Sequence, residues 1–268
     1  MLQVELRMRR SFSVCFVLLL FLVTPAFAED EDKGFDFIYP LTLRRPVFET
    51  LLDLTVSHEK LRRERETELA AELELRVLPW WQVSLEIPAL IVDPGKGATF
   101  GGLGDIGIEN SFRLFKSTDH RAQVTGGFAV RLPSGSKSRG LGGETAIEPF
   151  VAGGIILGDF HLLADVAYQW TVNAPGGGER KQEMSGGLAV GYEIAERFLP
   201  LLEFKTISMV RGESEDGPKL RRKGQIYLTP GFNLKLFEET TLRFGVQLPV
   251  AHAREFDYSV HMGLSVEF

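Results

Sequence analysis

Cysteine is almost missing from this chain: 268 residues carry one, Cys15. That excludes a disulfide framework and leaves no pair of thiols for a metal or a redox motif. The five histidines are scattered and none has the spacing of a metal ligand set, so no metal and no cofactor is expected. Long apolar runs are equally scarce. Outside Val14–Val23 no uncharged stretch approaches the roughly 20 residues that a membrane-crossing helix needs, which excludes a helical membrane protein. Positive charge is in deficit too, with 30 Lys and Arg against 36 Asp and Glu, and an acidic chain is a poor partner for nucleic acid.

The N-terminus reads as an export leader. Arg7, Arg9 and Arg10 precede the apolar run, and Ala26-Phe27-Ala28 is a small-x-small cleavage site before Glu29. Residues 1–28 are therefore expected to be a signal peptide, and the single thiol leaves with it. The remaining chain has 27 basic and 35 acidic residues. Glu29–Pro46, acidic and then rich in Leu and Arg, is expected as a short periplasmic segment, with plugging of the lumen as the alternative.

What the chain does have is alternation. In Glu68–Val77, Leu69, Ala71, Leu73, Leu75 and Val77 share one side, while Glu68, Glu72, Glu74 and Arg76 share the other. A strand points successive side chains to opposite faces, so this segment is greasy on one face and ionised on the other. Such segments recur at 47–58, 67–78, 81–91, 104–115, 121–132, 146–157, 160–173, 182–194, 200–211, 224–237, 241–249 and 258–268. Most exceed the usual strand of about 5–6 residues. Longer and tighter links alternate between them. For each strand one face can be chosen that carries no Lys, Arg, Asp or Glu, such as Tyr258, Val260, Met262, Leu264, Val266 and Phe268. A buried charge on the outside of a membrane barrel costs roughly 2–4 kcal/mol at mid-bilayer, so lipid contact would enforce that absence. The pattern predicts an all-β fold over 47–268: a transmembrane antiparallel β-barrel of about twelve strands in an up-and-down meander. A soluble sandwich also alternates, but its strands are shorter.

The opposite faces would line the lumen. Glu49, Asp53, Glu72, Glu74, Glu86, Asp105, Glu109 and Arg113 come from the first four strands, and Arg131, Glu148, Asp165, Lys205 and Arg243 from later ones. An acidic wall would then face a partly basic one, giving either a transverse field across a pore or a network of ion pairs that fills it. Gly102-x-Gly104-x-x-Gly107 has dinucleotide-binding spacing, but an alternating strand follows where that motif needs a helix. His161 with Asp165, and Ser259 with His261, are the residues to weigh for lipid hydrolysis. No third group is placed to complete a nucleophile and its base, and no catalytic residue is assigned.

Two further segments carry a resemblance. Gly102-Leu103-Gly104-Asp105-Ile106 resembles the Gly-x-Gly-Asp-hydrophobic strand of a family of outer-membrane transporters named for the MetA pathway of phenol degradation. Leu132-Pro133-Ser134-Gly135 resembles that family's Leu-Pro-Thr-Gly, with Ser134 in place of threonine. The similarity spans residues 100–268. It implies a non-enzymatic outer-membrane channel passing small solutes, aromatic or hydrophobic ones among them. The last residues, Gly263 to Phe268, resemble the assembly signal of bacterial outer-membrane proteins. The implied partners are periplasmic chaperones, the barrel-insertion machinery, outer-membrane lipid and lipopolysaccharide. The alternatives are a closed structural or adhesive barrel and a lipid-modifying enzyme.

Overall fold

The computed structural model describes residues 37–61, 63–173, 180–194, 196–213 and 224–268. The expected leader, the stretch 29–36 and parts of two long loops lie outside the described residues. Among the described residues no helix is long and apolar enough to cross a membrane. The chain is an all-β, closed, antiparallel barrel. Its strands are β1 (Leu51–Leu61), β2 (Glu64–Leu78), β3 (Trp81–Asp93), β4 (Phe100–Leu103), β5 (Ile106–Lys116), β6 (Ala122–Leu132), β7 (Thr145–Leu157), β8 (Phe160–Asn173), β9 (Arg180–Tyr192), β10 (Phe198–Glu213), β11 (Gly224–Phe237), β12 (Thr240–Pro249) and β13 (Tyr258–Glu267). Sequence neighbours pair along the chain except at β4 and β5, and β1 pairs with β13 through Leu51↔Glu267 to Lys60↔Tyr258, which closes the ring. β4 and β5 both pair with β3 and act as one interrupted strand, so the barrel has twelve staves.

Closure leaves no strand edge to seek a partner, which is what a backbone surrounded by hydrocarbon requires. The outer face carries Leu69, Leu75 and Val77 of β2, Phe128 and Leu132 of β6, Leu188 and Val190 of β9, and Phe244 and Leu248 of β12, all exposed. Aromatic rings gather at the tight-turn end: Trp80 stacks against Trp81 and Phe112, and Phe160 packs on Tyr192. Half-wet rings of this kind suit the lipid–water interface.

The interruption between β4 and β5 has a definite cause. Pro88 of β3 has no N–H to donate, and Gly104 N donates to its carbonyl at 2.9 Å. Asp105, expected to line the lumen, has its carboxylate taken up by the loop that follows β6. Its carboxylate accepts the backbone N–H groups of Gly135 (2.8 Å), Gly143 (2.8 Å) and Glu144 (3.0 Å), the last two just before β7. Ser134 Oγ donates to Gly104 O at 3.1 Å and accepts from Ile106 N at 2.8 Å. The two family-like motifs thus meet as one latch that straps the β6–β7 loop over the break, with Leu141 buried beneath it. Gly142, at φ +133°, comes so close that a Cβ there would lie 2.5 Å from Asp105 Oδ1. Losing charge-assisted bonds of this kind costs about 1.5–3 kcal/mol each. Asp105→Ala should therefore free the loop, and trypsin should cut at its exposed Lys137 and Arg139 at least about tenfold faster in the folded barrel. An unchanged cleavage rate would mean the strap is held elsewhere.

Candidate functional site: a half-filled lumen

The stretch expected as periplasmic lies, in its described part, inside the barrel. Phe37–Pro46 runs irregularly across the lower lumen, and its polar backbone has to find partners there. The wall supplies them. Tyr39 N donates to Asn233 Oδ1 at 3.0 Å, and Asn233 Nδ2 donates back to Tyr39 O at 2.9 Å. The Glu203 carboxylate accepts from Leu41 N (2.6 Å), Thr42 N (3.0 Å) and Thr42 Oγ1 (2.6 Å). Lys205 Nζ donates to Thr42 O at 2.7 Å, and Arg243 Nη1 to Pro40 O at 3.0 Å.

The apolar side chains of the segment need room, and bare wall positions provide it. A Cβ at Gly154 would meet Phe37 at 2.7 Å, one at Gly187 would meet Leu43 at 2.2 Å, and one at Gly245 would meet Leu41 at 2.3 Å. These glycines are sockets. Ile38, Tyr39 and Leu43 complete a buried cluster with Leu51, Leu163, Ala189, Leu199 and Leu201. A wet lumen would carry no such cluster; here it makes the segment a seated plug.

Two arginines of the plug interleave with the expected charges. Arg44 pairs with Glu109 (3.1 Å) and Glu148 and lies 4.4 Å over the Phe150 ring. Arg45 pairs with Glu49 and lies 3.7 Å over Tyr39. On the wall, Arg243 Nη2 pairs with Asp53 at 2.5 Å, and Ser265 Oγ donates to Asp53 at 3.0 Å.

Above the plug is a cavity of about 450 Å³. Asp53, Glu72, Glu74, Glu86 and Glu109 bound it on the side of β1–β5. Arg131, Glu148, Asp165, Lys205 and Arg243 bound it elsewhere on the wall. Ten of the thirteen sequence-selected lumen residues are therefore brought together at one cavity. Glu49 is held by Arg45, Arg113 lies against the Phe48 ring, and Asp105 sits in the latch. Gly263 lies on β13 where the Arg243 guanidinium covers it: a Cβ there would be 2.5 Å from Nη2. Sequence reasoning missed Arg44 and Arg45, which have no strand alternation to mark them, and Asn233, although it shares the face of Arg243 opposite it on β12. It also missed Glu203, although that residue shares the parity of Lys205 two positions away.

The residues weighed for hydrolysis are not assembled. His161 Nε2 of β8 lies 3.1 Å from Glu193, just past the end of β9, and His261 Nε2 lies 3.3 Å from Gln247. Ser259 Oγ is buried with no hydrogen-bond partner among the described residues, so no base activates it.

No protein-family model matches the sequence, and no curated protein matches it. Solved structures do. The chain is similar to an outer membrane channel from Pseudomonas putida F1, with a TM-score of 0.67 at 11% identity over 90% of this chain and 100% of that one. It is similar to the NanC porin, with a TM-score of 0.57 at 14% identity over 81% of this chain and 100% of the porin. The beta domain of the Bordetella autotransporter BrkA aligns with a TM-score of 0.53 at 14% identity, over 82% and 99% of the two chains. Likeness at such low identity establishes the fold alone: this chain has the closed antiparallel β-barrel architecture of those proteins.

Proposed function

We propose that the protein is an outer-membrane channel for small solutes whose lower lumen is closed at rest by its own N-terminal segment. The observation that carries this reading is the cavity above the plug, bounded by charged side chains from most of the ring. A barrel built only as a scaffold gains nothing by keeping an ionised space inside, because unpaired buried charge is costly. Similarity in fold to a channel and a porin is in keeping with it. The resemblance to the phenol-degradation transporters would make small aromatic molecules one class of solute. The polar lining of the cavity favours solutes with an ionised or hydrogen-bonding group.

The second reading, a closed structural barrel, draws on the plug itself, which is tied to the wall by ion pairs and by a buried apolar cluster. Planar-bilayer recording separates the two. A channel should give discrete, low-conductance steps in the full-length protein and larger ones once the plug is unseated. Silence from both proteins at every voltage would leave the closed barrel as the surviving reading.

A further inference from the structure

The cations and anions of the lumen do not balance locally. Arg44, Arg45 and Arg243 are each matched to a carboxylate, and Lys205 is held by the plug carbonyl of Thr42. Two of these arginines also lie against aromatic rings, which withdraws them further from lumen water. The carboxylates of β1–β3 are not so matched. The register sets Asp53 opposite Glu72 and Glu72 opposite Glu86, three acids on three adjacent strands at one level. Asp53 has Arg243, but Glu72 and Glu86 form no ion pair among the described residues. Higher on the same wall, Glu59 stands opposite Glu66, with Glu68 between that level and the cavity.

Like charges directly opposite on paired strands destabilise a sheet. Here the opposition recurs at two levels along one wall, about 20 Å apart from Glu66 to Glu72 at the usual strand rise. Packing gives no reason for this, since a Gln or Thr at any of these places would keep the strand and remove the repulsion. An ion moving along the lumen axis does give one. The cavity supplies the space for it, and Arg131 of β6, set level with Glu86 across Gly107 of β5, stands beside the ladder.

We propose that the lumen selects small cations, and that the carboxylate ladder Glu59–Glu66–Glu68–Glu72–Glu86 is the selecting wall. This rests on the channel reading and names the solute charge that reading leaves open. A wall of one sign in a narrow, low-dielectric passage concentrates the opposite ion and excludes its own.

Reversal potentials across a bilayer in a KCl gradient test it. The full chain should prefer K⁺ to Cl⁻ by about tenfold, and methylammonium chloride should show the same sign. Glu72→Gln with Glu86→Gln keeps shape and removes charge, and should bring the ratio close to one. Arg131→Gln should raise it. A current with no preference, an anion preference, or a ratio unmoved by the double substitution would overturn the proposal and leave the channel standing. No current from the full chain or from a plug-free chain would overturn the channel, and the proposal with it.

Discussion

A chain lacking residues 37–46 should still form the barrel and should conduct several times more current per opening than the full chain. Every inter-strand ladder begins at or beyond Leu51, so the deletion removes no wall hydrogen bond. Twelve staves spaced about 4.8 Å apart and tilted near 40° enclose a backbone radius of roughly 12 Å. Side chains alone do not fill that width, and the plug accounts for the lower half. Its removal exposes the Glu203 carboxylate and the Asn233 amide to water, which can satisfy both. A gentler route fills a socket. Gly187→Val would place carbon where Leu43 now sits and crowd Phe204 O at 3.1 Å, so the plug has to lift on that side. The expected rise in conductance is smaller than for the deletion. Leu43→Ala in the same chain should reverse it, because the removed side chain returns the space. Equal conductance in the full, truncated and socket-filled proteins would show that the segment does not restrict the path.

The barrel was legible because two solvents write it into the sequence. Lipid outside and water or ion pairs inside force a period of two along every strand, so β8 and β11 coincide with the expected spans 160–173 and 224–237. The first strand shows the limit of that signal. The expected span starts at Val47, yet the strand begins at Leu51, and the adjacent Val47 and Phe48 are both buried, where a strand would send them to opposite faces. The expected fourth span, 104–115, misses Phe100–Leu103, and the break at Gly104 and Asp105 opposite Pro88 leaves the Asp105 carboxylate to the β6–β7 loop. The plug was harder still. Its backbone is irregular and has no period, and its partners, such as Glu148 for Arg44 and Asn233 for Tyr39, are far away in the chain. Parity could place ten acids and bases at one cavity, but it could not say which of them a segment from outside the strands would neutralise.

Arg243→Ala should be the most destabilising single substitution in the wall. The Arg243 guanidinium holds Asp53 on β1 and Pro40 O in the plug, and it lies flat over Gly263 on β13. One side chain therefore ties the closing strands to each other and to the plug. Asp53 is 8% exposed, and among the described residues the one side-chain hydrogen bond left to its carboxylate without the cation is from Ser265 Oγ. Breaking a buried pair by removing one partner typically costs about 3–5 kcal/mol, because the other charge stays behind unmatched. The unfolding midpoint in guanidinium, followed by the heat-modifiable mobility of the barrel, should fall accordingly. Asp53→Asn in the same chain removes the stranded charge and should recover a large part of the loss, so the pair should couple strongly in a double-mutant cycle. Gly263→Ala gives an independent check. Its Cβ, 2.5 Å from Nη2, must push the guanidinium off Asp53, so it should weaken the barrel in the wild-type background and matter far less once Arg243 is alanine. Additive effects of Gly263→Ala and Arg243→Ala would mean that the bare backbone at Gly263 serves something other than this ion pair.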